Sequence, residues 1–207
     1  MLGVERLQMA RVLIIHGWTN KRPVGHWQRR LAAALRAQGH VVSYPQLPNT
    51  DDPQLDDWLE VVEAELAQLA EVEGREGEEL VVVAHSLGCV TWMHVALRET
   101  QPELVSRLLL VAPPERSPIS PLPSFLVQQD DATLAAALFK STSSVVLVGS
   151  DSDPWQPSGI QAGVGDPLGL QAVVVHGAKH FSTLDGFSQW QGVIDWVNDP
   201  SADLTKI

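Results

Sequence analysis

Glu79-Leu80-Val81-Val82-Val83-Ala84-His85-Ser86-Leu87-Gly88-Cys89 is the stretch from which the fold can be read. The β-branched run Val81–Val83 suits a buried strand, and it ends abruptly at His85-Ser86. Small residues, Ala84 and Gly88, flank the serine two positions either side, and Cys89–Arg98 is compatible with a helix. A strand that turns at once into a helix, with a serine at the turn, has the form of a nucleophile elbow, which lifts the hydroxyl out of the sheet. The flanking residues must be small because the tight turn brings strand and helix backbones together. Glycine is usual at the first of these positions, so Ala84 is a mild departure. Taken alone, the pentapeptide also fits, less well, a serine capping the next helix.

Other apolar runs repeat the pattern. Val12-Leu13-Ile14-Ile15 reads as a strand covered on both faces and ends at His16-Gly17-Trp18. Trp27–Gln38 is amphipathic and stops at Gly39, Val41–Tyr44 is a strand, and Leu55–Val72 is a second helix. Arg107–Val111, Val145–Val148 and Ala172–Val175 are further strands, and Phe187–Val197 is a closing helix with Trp190, Ile194 and Val197 inward. Strands alternating with helices build βαβ units. The expected fold is a single-domain α/β fold over residues 1–207, with about six mainly parallel strands, helices on both faces and a minimal lid. Residues 1–10 read as a frayed arm, and Glu71–Glu79, rich in Glu and Gly, as a solvated connection. Glu115–Ser143, with a helix at Thr133–Phe139, is the longest excursion between strands and the natural place for a small cap.

Composition narrows the function. The chain of 207 residues is 44% hydrophobic and 19% charged, as a soluble globular protein is, and its net charge of -11 argues against nucleic acid or an anionic membrane as partner. No apolar run approaches the roughly 20 residues of a membrane span, and Met1–Arg11 lacks the apolar core of a signal peptide. A single cysteine, Cys89, leaves no intramolecular disulfide and fits a cytoplasmic setting. No glycine-rich nucleotide motif occurs and the histidine spacings do not form a zincin pattern, so neither a cofactor nor a metal is expected.

A serine hydroxyl needs a base within hydrogen-bond reach, and the base needs an acid to fix its tautomer. In α/β-hydrolase order these follow as Ser, Asp, His, each just beyond a strand. Ser86 is followed by Asp151 and Asp153 after one strand and by His176 and His180 after the next. Asp153 is preferred for the acid, since Pro154 and Pro157 follow it in a D-x-x-x-P pattern, and Asp151 then reads as a turn residue. His180 is preferred for the base because it lies further out in its loop, where a mobile reach to the serine is easier. His176 should pack near the sheet edge, while His85 and His16 read as structural. The oxyanion of an acyl-transfer intermediate needs two donors: the backbone N–H of Leu87, and that of Trp18 in the first loop, where Gly17 lets the backbone approach. Trp18 and Trp155 flank this region and would line a substrate pocket.

Together these residues resemble the small single-domain serine hydrolases typified by retinoblastoma-binding protein 9, within the α/β-hydrolase superfamily. The resemblance rests on Val12–Trp18, Gly25-His26-Trp27-Gln28, Val83–Gly88, Leu110–Pro113, Ser152-Asp153-Pro154 and His180-Phe181, spread over nearly the whole chain. It implies a compact fold without a large lid, Ser86, Asp153 and His180 as triad, and esterase-like activity on small acyl substrates. Lys179 departs from the glycine that commonly precedes the histidine, and residues 156–171 look looser than the helix expected there. Three functions follow as expectations: a hydrolase of small esters, an acyltransferase or thioesterase with the same triad, and a non-catalytic binding protein. No motif indicates a protein partner.

Overall fold

A computed structural model describes residues 9–72, 78–98, 104–116, 119 and 121–207. Most of the arm at 1–10 and of the connection at Glu71–Glu79 lies outside the described residues. Six strands form one sheet: β1 (Ala10–Ile15), β2 (Val41–Ser43), β3 (Glu79–His85), β4 (Arg107–Val111), β5 (Val145–Gly149) and β6 (Ala172–Val174). Their order is β2-β1-β3-β4-β5-β6, and every pairing is parallel. This is the expected α/β-hydrolase architecture.

The apolar runs are continuous because the central strands feed two cores. Val12 and Ile14 of β1, with Val81 and Val83 of β3, face α1 (Trp27–Ala37) and α6 (Gln191–Asn198). Leu13, Ile15 and Val82 face the other way, towards α2 (Leu55–Glu71), α3 (Leu87–Arg98) and α4 (Asp131–Ser141). Strand order reverses between β1 and β3, and the crevice beyond the carboxyl ends there is where open α/β sheets place their ligands. The loop Gly17-Trp18 and Ser86 both emerge at that point.

Three expectations change. The closing helix starts at Gln191 rather than Phe187: Trp190 is extended, and Phe187 and Trp190 instead close an aromatic cluster around Phe181. Within it, Ile194 is only partly buried, whereas Val193 and Trp196 face the core. Residues 156–171 do contain helix, a π-helical turn at Gln161–Gly165 running into α5 (Asp166–Leu168). The helix of the long excursion packs against α3 and is no cap. Among the described residues of that excursion, Ile119 and Leu122, in its earlier part, line the crevice.

Gly88 sets how closely α3 approaches β1. A Cβ there would lie 2.6 Å from the His16 carbonyl oxygen and 2.8 Å from that of Ile15. Gly88→Ala should therefore cost about 1–3 kcal/mol of stability through overpacking, read as a lower urea midpoint; an unchanged midpoint would show that α3 can retreat.

Candidate active site

Ser86 occupies the step between β3 and α3 with φ of 55°, in the left-handed region that a non-glycine residue rarely adopts. Its N–H donates to the Val111 carbonyl at 2.9 Å, and its carbonyl accepts from Cys89 N–H at 2.9 Å. The backbone is thereby held from both sides while the hydroxyl faces the crevice. Cys89 itself is fully buried, with its thiol pushed up by desolvation, and belongs to the core.

The sequence-predicted acid and base meet the serine. His180 Nε2 lies 2.7 Å from Ser86 Oγ, and His180 Nδ1 lies 2.8 and 3.0 Å from the two oxygens of Asp153. The Asp153 side chain is fully buried and also accepts the Trp155 N–H at 2.9 Å. A hydroxyl, an imidazole and a buried carboxylate in this sequence of contacts can pass a proton from the hydroxyl to the ring and hold the resulting imidazolium.

The competing pair is turned elsewhere. His176 is 83% exposed and bonds Asp151 at 2.8 Å, so the packing expected for it at the sheet edge does not occur. Asp151 accepts the Gly177 N–H at 2.9 Å; that bond first, then His176, lowers its carboxyl to about 2. Lys179, where glycine was expected, takes the glycine conformation with φ of 49°. The departure in sequence is thus absorbed as local backbone strain, and the geometry of His180 is kept.

The loop bearing His180 is pinned, contrary to the expected mobile reach. The His85 ring donates from Nε2 to the His180 carbonyl at 2.9 Å. Trp27 Nε1 donates to the Phe181 carbonyl at 3.0 Å, and the His180 N–H donates to Asp185 Oδ2 at 3.2 Å. Sequence reading missed Asp185, although Ser182-x-x-Asp185 has the spacing of a short cap, and Ser182 Oγ does accept the Asp185 N–H.

Gly17 runs directly beside the serine: a Cβ on it would sit 2.7 Å from Ser86 Cβ and 3.1 Å from Oγ. The N–H groups of Trp18 and Leu87 donate to no described residue, which leaves both free for a ligand. His16 braces this loop as expected, donating from Nδ1 to the Gly17 carbonyl at 3.0 Å and accepting the Leu47 N–H on Nε2 at 3.0 Å. Trp18 and Trp155 meet edge to face at 6.0 Å, and Trp155 lies 5.9 Å from the His180 ring. Around them opens a cleft of about 640 Å³. Among the described residues no cluster of His, Cys, Asp and Glu could hold a metal, and no helix is long and apolar enough to cross a membrane.

The model of the family described as serine hydrolase matches residues 12–199. The chain belongs to that family. No curated protein matches it. Among solved structures, the ydeN gene product from B. subtilis is similar at 22% identity with a TM-score of 0.74, over 91% of this chain and 97% of that one. A protein of Pectobacterium atrosepticum described as a YdeN-like hydrolase aligns at 18% identity and a TM-score of 0.65, over 94% and 92%. A structure from the metagenome-derived lipolytic enzymes LipS and LipT aligns at 15% identity and 0.60, over 86% and 89%. At these identities the likeness speaks for the fold.

Burial makes this region sensitive to acid. Desolvation lowers His16 and His26 from 6.5 to about 4, and takes His85 well below 6.5. Between those values the unfolded chain binds more protons than the folded one, so stability is full above pH 6.5 and falls as the pH drops towards 4. At pH 5 the loss should be about 2 kcal/mol for each of His16 and His26. Urea midpoints at pH 7 and pH 5 measure it; equal midpoints would contradict neutral burial.

Proposed function

We propose that this serine hydrolase cleaves carboxylic esters through an acyl-enzyme intermediate, and that it is of the retinoblastoma-binding protein 9 type. The observation that carries the reading is the 2.7 Å approach of His180 Nε2 to Ser86 Oγ, with Asp153 2.8 Å behind the ring. Ser86 Oγ attacks the ester carbonyl while His180 Nε2 takes its proton. The Leu87 and Trp18 N–H groups receive the oxyanion, with Gly17 leaving room for it beside the serine. The C–O bond to the alcohol then breaks and His180 returns the proton to the departing oxygen. Water, deprotonated by the same ring, attacks the acyl carbon and releases the acid and Ser86. Asp153, buried behind the ring, keeps the proton on Nδ1 and stabilises the imidazolium. Trp155 and Trp18 line the substrate side. A cytoplasmic setting suits a chain whose one cysteine is buried.

A binding protein that has abandoned chemistry is disfavoured, because it would have no need of an aligned Ser86, His180 and Asp153. Two comparisons test the assignment. A fluorophosphonate probe should label the wild type and leave Ser86→Ala unlabelled; equal labelling of both defeats the reading. His180→Ala should lower kcat on an activated ester by about 1,000-fold or more, whereas His176→Ala should stay within about twofold; the reverse order would transfer the base to His176.

A further inference from the structure

The wall of the cleft restricts what the ester can carry. Trp18, Trp155, Pro114, Ile119, Leu122 and Leu184 present apolar surface to it. Among its described lining residues Lys21 is the one lysine or arginine, and its Nζ already lies 2.7 Å from Asp51 Oδ2. Asp185, the one lining carboxylate, is occupied by the His180 N–H and the Ser182 hydroxyl. A phosphate or carboxylate on the substrate would thus meet, among the described lining residues, no lysine or arginine but Lys21, already paired with Asp51, and the chain's net charge of -11 opposes its approach.

The apolar surface also continues outwards. Leu184 is 98% exposed and Val24 75% exposed, the two most exposed large apolar side chains among the described residues. They belong to abutting segments of one rim: Leu184 lines the cleft, Val24 follows the lining residue Pro23, and a Cβ on Gly25 would lie 3.7 Å from Thr183 Cγ2. A cleft of about 640 Å³ is far larger than an acetyl group needs and falls within the range of sites that enclose a drug-sized ligand.

We infer that the substrate is an uncharged ester bearing an extended apolar chain, which lies along this wall and leaves past Leu184, and that acyl-coenzyme A and other anionic acyl donors are excluded. The inference rests on the hydrolase reading above. It sets the enzyme apart from a coenzyme A thioesterase, whose substrate carries several phosphates and calls for basic or backbone N–H phosphate sites.

The test uses wild-type protein from which a separate aliquot has first been titrated with a fluorophosphonate to count reactive Ser86. One series lengthens the acyl group of p-nitrophenyl esters from acetate to octanoate; a second lengthens the alcohol of simple alkyl acetates from ethyl to octyl. In at least one series kcat/KM should rise about 100-fold, short of the roughly fourfold per methylene that full burial would give. A p-nitrophenyl hemisuccinate and octanoyl-coenzyme A should react at least about tenfold more slowly than the neutral ester of matching length. Leu184→Ser, at a fully exposed position, should reduce the long-to-short ratio by about threefold. Flat or falling series, an anionic substrate turned over as well as its neutral counterpart, or a ratio unmoved by Leu184→Ser would each overturn the inference. If Ser86 labels normally, those results leave the hydrolase assignment standing; if Ser86 does not label and no ester reacts, both readings fall.

Discussion

The backbone of Ser86, held at φ of 55° by the Val111 carbonyl on one side and the Cys89 N–H on the other, is the constraint on which the site depends. A left-handed conformation at a residue with a Cβ costs about 1–2 kcal/mol, and it persists because β3, β4 and α3 together leave no alternative path. It turns the hydroxyl out of the sheet and leaves the Leu87 N–H, at the start of α3, without a partner among the described residues. It also brings α3 so close to β1 that position 88 has no room for a side chain. Other non-glycine residues with positive φ gather at the same end of the sheet: Thr19 after β1, Ala112 after β4, and Lys179 and Phe181 on either side of His180. Strain of this kind concentrates where geometry is functional.

His180, the proposed base, is fixed with comparable care. His180 is approached through its backbone as much as its ring: His85 takes its carbonyl, Asp185 its N–H, and Trp27 the carbonyl of its neighbour. Burial favours the neutral form of His85, and in that form donation from Nε2 fixes which ring nitrogen carries the proton. The ring of His85 also packs 5.3 Å from that of His180. The dependence of the fold on neutral histidines and the placing of His180 are therefore the same arrangement seen at two scales. A base held this way has little reorganisation left to perform when the proton moves.

Much of this was legible in the sequence because it depends on local pattern. Strands covered on both faces must be apolar throughout, so Val12–Ile15, Val81–Val83 and Leu108–Val111 declared themselves, and the polar residues just beyond them marked the site. That Ser86, Asp153 and His180 would be brought together could be expected from their order and position. What escaped notice depends on contacts between distant segments. Trp27 and Phe181, 154 residues apart, pin a loop that looked free to move. The aromatic cluster of Phe181, Phe187 and Trp190 delays the last helix although the helical periodicity begins earlier. His176 looked like a residue that would pack, yet Asp151 holds it in solvent. The apolar rim at Val24 and Leu184 has no local signature, since each is a single hydrophobic residue in a polar loop.

The central claim is that Ser86 becomes acylated during turnover. Wild-type protein mixed with a slowly deacylating ester and quenched in acid should gain the mass of one acyl group, located by fragmentation on the peptide that contains Ser86. An adduct on another residue, or ester turnover that survives in Ser86→Ala at the wild-type rate, would contradict the account.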